Sequence, residues 1–291
     1  MADDSAPLGG KTCMITGATS GIGRAAALAL AAQGADLVLV CRDRARGEAT
    51  GAEIAEIGAG RQPALLVGDL SSQADIRRVA AEFEAMDRPL HVLLNNAGVV
   101  MLQRTETPDG IETTFAVNHL AYYLLTGLLL ERLRASAPAR IVCVASDAHR
   151  FAGGPLPFDD LEGKRSYGSM KNYGMSKLAN ILFTRELATR LEGTGVTVNC
   201  LHPGMVGTGL GKNNGTFAKV VTGLLRPFSR SPERGAQTSI FLCSSDRVDG
   251  VTGGYFSNCR QTRPNAAATS PQDGRRLWDV SREMTGFDPF A

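Results

Sequence analysis

The sequence lacks the features that would indicate several other classes of protein. Its six cysteines include no C-x-x-C pair, so nothing supports a zinc site or a redox-active dithiol. Single histidines such as His149 and His202 do not make a metal site, and we expect no metal. The formal net charge is only +2, which gives no electrostatic reason to expect a nucleic acid partner.

Long apolar segments are also absent. The longest apolar run, residues 120–130, is too short to cross a bilayer, so we expect a buried helix and no membrane span. The first ten residues are acidic and polar, unlike a signal peptide. Four cysteines lie in apolar runs that predict buried strands, which favours a reduced, cytoplasmic protein.

Apolar runs and helical patterns alternate along the chain. Strands that are apolar throughout, separated by helices, predict a parallel sheet covered on both faces. We predict an α/β fold: a single-domain, Rossmann-like, doubly wound parallel sheet of about seven strands, formed by residues 1–291 without a linker. The predicted strands are 11–17, 35–41, 63–70, 91–98, 139–146, 196–204 and 253–259, and the predicted helices are 22–34, 43–58, 72–86, 109–135, 172–192 and 235–245.

A glycine-rich loop joins the first predicted strand to the first helix. In residues 16–23, TGATSGIG, the glycines Gly17, Gly21 and Gly23 would let backbone amides approach a pyrophosphate, and Ser20 adds a hydroxyl. Such a loop can be a plain turn, but its place between a strand and a helix is the one that dinucleotide binding requires. The run 95–98, at the end of the fourth strand, is either a turn or a second cofactor contact.

Four polar residues form the candidate catalytic set. Tyr173 and Lys177 are four residues apart in a helical stretch, so the ammonium can lie near the phenol and lower its pKa. Ser146 ends the fifth strand, and Asn118 lies within a long helix, where asparagine is mildly unfavourable. A chance spacing and a strand-end turn serine are the plainer alternatives. The set predicts a tyrosine acting as general acid or base.

Together these residues resemble the short-chain dehydrogenase/reductase family over essentially the whole chain. The resemblance rests on residues 16–23, 95–98, Asn118, Ser146, Tyr173, Lys177 and the pair Pro203 and Gly204. The stretches CRDRARGE, VASDAH, YGMSKLANILFTRELATRL and RRLWDVS resemble its retinol-dehydrogenase-like branch, which includes WW-domain oxidoreductases. Membrane-bound relatives in that branch carry an N-terminal anchor that this sequence does not show, and we therefore expect a cytoplasmic location.

The resemblance implies a role for each residue. Tyr173 would donate or accept the substrate proton, and Lys177 would lower its pKa and hold the nicotinamide ribose. Ser146 would orient the substrate carbonyl, and Asn118 would hold a water that links Lys177 to bulk solvent. The implied cofactor-binding residues are Gly17, Ser20, Gly21, Ile22, Gly23, Arg42, Asp69, Leu70, Asn96, Ala97, Gly98, Tyr173, Lys177, Pro203, Val206 and Thr208. Helices 109–135 and 172–192 would form the contact of a homodimer or homotetramer, although core packing explains their apolar residues as well.

The end of the second strand distinguishes NADP from NAD. An NAD enzyme places a carboxylate there to bind the ribose hydroxyls, but this position is the neutral Cys41, and Asp36 lies at the other end of the strand. Arg42 follows, where its guanidinium can pair with a 2′-phosphate, assisted by Arg46. Asp43 is placed to cap the next helix. We therefore predict NADP(H) as the cofactor.

Two regions are expected to shape the substrate pocket. Ser146 and Tyr173 are further apart than is common in the family, which implies an insertion at 148–170. Glycines in 205–230 predict a mobile lid, whose apolar face either covers a substrate or packs on the body. The predicted function is NADP(H)-dependent interconversion of a lipophilic aldehyde or ketone and its alcohol. The alternatives are a tailoring ketoreductase or alcohol dehydrogenase of secondary metabolism and, in another class, a non-catalytic NADP-binding sensor or scaffold.

Overall fold

Short apolar stretches of the chain become the strands of one sheet in the computed structural model, which describes residues 6–58, 60–204 and 230–291. The strands are β1 Thr12–Thr16, β2 Asp36–Cys41, β3 Ala64–Val67, β4 Val92–Asn95, β5 Ala139–Val144, β6 Val196–His202, β7 Tyr255–Ser257 and β8 Arg260–Thr262. Within those ranges they form an eight-stranded sheet in the order β3-β2-β1-β4-β5-β6-β7-β8. The neighbours pair in parallel as far as β7, and β8 pairs with β7 antiparallel.

Helices pack on both faces of this sheet. They are α1 Gly21–Ala32, α2 Arg44–Ile57, α3 Gln73–Glu84, α4 Thr113–Phe115, α5 Ala121–Leu128, α6 Leu130–Ala135, α7 Ser169–Arg190, α8 Pro232–Ser244 and α9 Pro271–Thr285. Side chains alternate along each strand, so Met14 enters one core with α3, α5 and α7, while Cys13 and Ile15 enter the other with α1 and α8. The predicted single-domain, Rossmann-like α/β fold is confirmed.

The last strand and helix α9 are elements that the sequence pattern did not predict. Arg260–Thr262 is short, polar and exposed, so no apolar run announces it. Asn258 and Cys259 both have positive φ, at 50° and 57°, which is the conformation of a tight hairpin turn. The turn folds β8 back along β7 and places an antiparallel strand at the edge of the sheet.

The predicted helix 109–135 is wrong in detail, because the chain there is broken into four pieces. A turn at Thr107–Gly110 precedes it, and helix α4 begins only after Glu112, whose carboxylate accepts from the backbone nitrogens of Thr114 and Phe115. A π-helical turn, Ala116–Leu120, follows and contains Asn118. Such turns are frequent at functional sites. Helices α5 and α6 complete the segment.

Helix α9 covers the surface that was expected to contact another subunit. Trp278 stacks on Phe183 of α7 and meets Tyr123 of α5 edge to face, with ring centroids 6.0 and 5.0 Å apart. Ser281 bonds the fully buried His119, and Tyr123 donates to the backbone oxygen of Phe287. Core packing therefore accounts for the apolar faces of α5 and α7. The homodimer or homotetramer stays a prediction, and it would need another surface while α9 is in place.

Among the residues that the structure describes, no helix combines the length and the apolar character needed to span a membrane.

Candidate active site

The glycine loop lies at the carboxyl end of β1, where the sheet order changes direction between β1 and β4. Gly17 and Gly21 have φ of 67° and 53°, a conformation that favours glycine. A Cβ on Gly23 would lie 2.3 Å from the Gly17 carbonyl oxygen, so only glycine fits there. Ser20 begins α1 without using its side chain as a cap. The loop and the first-turn amides of α1 therefore form a cradle suited to a phosphate group.

Thr16 holds this loop against the end of β4, and the sequence reasoning missed it. Its buried hydroxyl accepts from the backbone nitrogens of Asn96 and Ala97 at 2.9 and 3.0 Å. The Asn96 side chain donates to the Thr16 carbonyl oxygen at 2.8 Å. The only local signal is a threonine directly before the glycines, and its partners lie some 80 residues away.

The end of β2 presents arginines to the same cleft. Cys41 is buried, and Arg42 and Arg46 line the cleft beside it. Asp43 caps α2 as predicted, because its carboxylate accepts from the backbone nitrogen of Arg46 at 3.1 Å. Asp36 pairs with Thr12 at the opposite end of the strand, away from the glycine loop.

Tyr173 and Lys177 lie side by side on α7 and are almost completely buried. The Lys177 Nζ donates to the Val144 carbonyl oxygen at 2.8 Å and lies 5.7 Å from the centroid of the Tyr173 ring. Burial raises the pKa of Tyr173 to about 12, while a hydrogen bond with Ser146 acts in the opposite direction. The net shift is opposite to the one expected from the lysine. Burial also lowers the pKa of Lys177 to about 7.

Asn118 joins three parts of the site through its side chain. Its Oδ1 accepts from the backbone nitrogen of Val99 at 2.8 Å, and its Nδ2 donates to the Val99 carbonyl oxygen and to the hydroxyl of Ser176. Ser176, a second residue that sequence reasoning missed, donates to the backbone oxygen of Tyr173 at 2.7 Å. Asn118 thereby connects the β4 loop to the turn of α7 that carries Tyr173.

One cleft of about 350 Å³ brings most of the predicted residues together. Its lining includes Gly17, Ser20, Gly21, Ile22, Gly23, Arg42, Asp69, Leu70, Asn96, Ala97, Gly98, Tyr173, Lys177 and Pro203. Ser146 and Asn118 are not part of this lining, although Ser146 bonds Tyr173, which is. Val206, Thr208 and nearly all of the predicted lid 205–230 fall outside the described residues. The lining residues that the sequence reasoning did not name are Thr19, Val40, Gly68, Ser71, Val99, Met101, Thr113, Val117, Val144 and Ala145.

A nicotinamide dinucleotide fits the residues of this cleft. Any Cβ at position 23 would collide with the Gly17 carbonyl oxygen, so the backbone there is left open to a phosphate. The Ser20 hydroxyl makes no cap bond and is available to the same group. The cleft then continues from the glycine loop to Tyr173. In the described ranges, no three histidine, cysteine or acidic side chains come together as a metal site would require. The arrangement is that of a nicotinamide-dependent oxidoreductase.

Comparison with known proteins gives the family. A family model described as enoyl-(acyl carrier protein) reductase matches residues 17–257, and the chain belongs to the short-chain dehydrogenase/reductase family. Retinol dehydrogenase 12 of Mus musculus is 44% identical over 278 residues, which cover 96% of this chain and 87% of that protein. Retinol dehydrogenase 14 of Homo sapiens is 44% identical over 294 residues, with coverage of 96% and 87%.

Solved structures agree with this assignment. An uncharacterized protein from Mycobacterium Paratuberculosis superposes with a TM-score of 0.75 at 29% identity and covers 96% of this chain and 94% of its own. The Pseudomonas aeruginosa RhlG/NADP active-site complex gives a TM-score of 0.65 at 26% identity, with coverage of 85% and 94%. The similarity thus extends across nearly the whole chain.

The expected cytoplasmic location is wrong. It depended on setting this chain apart from the membrane-bound members of the retinol-dehydrogenase-like branch. The curated relatives named above are themselves retinol dehydrogenases, and they match 96% of the chain. The resemblance to that branch is confirmed, but the expectation that this chain differs in location from the membrane-bound members of the branch is not.

Proposed function

We propose that the protein is an NADP(H)-dependent oxidoreductase that interconverts a lipophilic aldehyde or ketone and its alcohol. The observation that carries this proposal is the single cleft shared by the glycine loop, Tyr173 and Lys177. A bound nicotinamide would supply or accept the hydride at the substrate carbon. The residues of the chain then have to bind the carbonyl oxygen and move one proton to or from it.

Tyr173 is suited to donate that proton during reduction. Because burial raises its pKa to about 12, the phenol remains protonated at neutral pH. In reduction, the phenol of Tyr173 would pass its proton to the carbonyl oxygen, and the Ser146 hydroxyl would hold that oxygen in place. In oxidation the same proton returns to the tyrosine. Lys177, bonded to the end of β5, would bind the nicotinamide ribose. Asn118 would hold a water that links Lys177 to solvent, as the family resemblance implies.

Substitution of the tyrosine tests catalysis directly. We expect Tyr173→Phe to abolish carbonyl-dependent NADPH oxidation while the cofactor still binds, as measured by NADPH absorbance and fluorescence. A wild-type protein that binds NADPH but turns over no carbonyl or alcohol would instead support the sensor or scaffold alternative.

The preference for NADP is supported by the end of β2. Cys41 offers no carboxylate to the ribose, and Arg42 and Arg46 both line the cleft. The NADP complex of RhlG, a 26% identical structure, agrees with this preference. Hydrogen bonds to charged groups contribute about 1.5–3 kcal/mol, so Arg42→Ala should lower the NADPH/NADH preference roughly 10- to 100-fold. Arg44→Ala is the matched control, because Arg44 is exposed outside the cleft lining. An unchanged preference in Arg42→Ala would contradict the assignment.

An apolar substrate is supported by the cleft beyond Tyr173. Val99, Met101 and Val117 line it there, and Tyr167 of the 148–170 insertion donates to the Met101 carbonyl oxygen at 2.9 Å. We propose that this insertion and the 205–230 segment shape the pocket. The retinol dehydrogenases among its relatives favour a lipophilic carbonyl over a tailoring role. A panel should show a higher kcat/KM for decanal than for acetaldehyde, and equal values would argue against this substrate class.

A further inference from the structure

His149 lies directly behind Ser146 and makes two hydrogen bonds. Its side chain is fully buried in the 3-10 turn Asp147–Ala152. Nδ1 lies 2.8 Å from the Ser146 carbonyl oxygen, and Nε2 lies 3.1 Å from the backbone nitrogen of Asn265. The ring therefore links the candidate catalytic serine to a segment that is 116 residues from His149 in sequence.

These two partners determine which nitrogen of the ring carries the proton. The backbone nitrogen of Asn265 can only donate, so Nε2 of His149 must accept. The proton is then on Nδ1, which donates to the Ser146 carbonyl oxygen. In an imidazolium, the Nε2–H of His149 would point at the N–H of Asn265, and the two donors would repel each other. Burial also lowers the pKa of His149, which favours the neutral ring. The surroundings thus hold a neutral ring in one tautomer.

A second histidine binds the other edge of the same peptide group. The backbone nitrogen of Asp147 donates to Nδ1 of His202 at 3.0 Å. The C=O of Ser146 and the N–H of Asp147 belong to one peptide unit, so that unit lies between two imidazole rings. The titratable and charged groups that face His149 are Asp147, Arg150, His202 and Tyr255, and Asp147 pairs with Arg150.

The distant end of this connection is firmly anchored. The Asn265 side chain accepts from the backbone nitrogen of Ala268 and begins the turn Ala266–Thr269. Ala268 is fully buried in the core that includes α7. The Tyr255 ring of β7 meets His149 edge to face, with centroids 5.5 Å apart. The histidine is therefore braced against fixed neighbours.

We propose that His149 is a positioning residue, which fixes the Ser146–Asp147 peptide, and with it the Ser146 hydroxyl, against the segment that begins at Asn265. The inference rests on the proposed function, because it requires Ser146 to act on the substrate carbonyl. Displacement of a catalytic group by about 1 Å can cost roughly 100-fold in rate. His149 is absent from the cleft lining, so cofactor binding should not depend on it.

Two isosteric substitutions separate the two hydrogen bonds. The amide of Asn can take the place of Nδ1, and the amide of Gln can take the place of Nε2. With decanal and NADPH, His149→Asn should lose roughly 10-fold in kcat, because it keeps only the bond to Ser146, whereas His149→Gln, which keeps only the bond to Asn265, should lose roughly 100-fold. The NADPH dissociation constant should stay the same in both. His91→Gln is the control, since His91 accepts a backbone N–H from Thr12 at the other end of the sheet.

The ratio of oxidation to reduction separates positioning from a general loss of structure. The hydrogen bond with Ser146 lowers the pKa of Tyr173, so a displaced serine should raise it. Oxidation requires the phenolate of Tyr173 and reduction requires the phenol, so at one pH His149→Gln should lower kcat for the alcohol more than kcat for decanal. A merely structural role would lower both kcat values by the same factor.

A substitution at Asn265 tests the other bond and does not alter the histidine. Asn265 has φ of −67°, which proline adopts without strain. Asn265→Pro and Asn265→Ala both lose the side-chain cap, but only the proline variant loses the N–H that His149 accepts. Asn265→Pro should have a roughly 10-fold lower kcat than Asn265→Ala.

The outcomes distinguish the two proposals. A wild-type protein without carbonyl turnover would remove the proposed function. An active wild type with equal kcat in His149→Asn and His149→Gln, or in the two Asn265 variants, would overturn the role of His149 alone. If the His149 variants do not fold, the Asn265 pair decides.

Discussion

The cofactor half and the serine half of the candidate active site are built in different ways. The cofactor half is formed by backbone and glycines. Gly17, Gly21 and Gly23 leave room for a phosphate, and the Thr16 hydroxyl bonds the backbone that follows β4. The serine half is formed by side chains, where His149 and His202 hold the peptide that follows Ser146. A backbone cradle follows from local sequence, whereas the serine half depends on partners far along the chain.

The largest expected effect is the loss of NADPH binding in Gly23→Ala, which alters the cofactor half. A Cβ there would lie 2.3 Å from the Gly17 carbonyl oxygen and 2.4 Å from the Asn96 Nδ2, so the loop must move. We expect NADPH affinity to fall by roughly 100-fold or more, because the backbone can no longer approach the pyrophosphate closely. Fluorescence titration measures this. Gly51→Ala is the control, since its Cβ makes only ordinary contacts. Comparable affinity in both variants would contradict the cradle.

The matching substitution in the serine half is Gly174→Ala. Its Cβ would lie 2.7 Å from the Ala148 carbonyl oxygen and from the Ala152 nitrogen, both in the turn that follows Ser146. We expect kcat to fall roughly 10- to 100-fold with NADPH affinity unchanged. Gly274→Ala, whose nearest neighbour is 3.6 Å away, should behave as wild type. If Gly174→Ala weakened NADPH binding more than turnover, the two halves would not be separable.

The sequence was sufficient for the architecture and for most residues of the cofactor half. Apolar runs gave the parallel strands, and the spacing of Gly17, Gly21 and Gly23 indicated the loop, because these features depend on neighbouring residues. Strand β8, helix α9 and the division of the segment 109–135 were not foreseen. Strand β8 depends on a positive-φ turn at Asn258, and the late start of α4 depends on a cap by Glu112, and both features carry weak sequence signals.

The supports of the serine half could not be read from the sequence. The sequence places His149 near the site without giving it a role, since nothing local shows that Asn265 faces it. The pKa of Tyr173 was expected to fall because of Lys177, but near-complete burial outweighs the lysine and raises it. Desolvation is a property of the folded environment and has no local pattern.

A smaller effect, on stability, is expected from Thr16, which joins the glycine loop to the loop after β4. Thr16→Val removes the hydroxyl that accepts from the backbone nitrogens of Asn96 and Ala97. Burying donors without a partner costs about 1–3 kcal/mol, so the free energy of unfolding should fall by that amount. Thr16→Ser retains the hydroxyl and should lose less. Denaturant unfolding measures both, and a larger loss in Thr16→Ser than in Thr16→Val would show that methyl packing, not the hydrogen bonds, stabilises this junction.

The smallest effect concerns Lys177 and appears only as a dependence on pH. Burial lowers its pKa from 10.5 to about 7, so above pH 7 the folded protein has released a proton that the unfolded chain still binds. Stability must then rise with pH in this window, by about 1.4 kcal/mol per unit for one group. Lys177→Met removes this contribution and leaves those of all other groups in place. Between pH 7 and 8.5, the free energy of unfolding of the wild type should therefore rise relative to that of Lys177→Met, as measured by denaturant titration. Parallel curves would mean that the lysine keeps its proton in the folded protein, and the site would then hold a buried cation beside Tyr173.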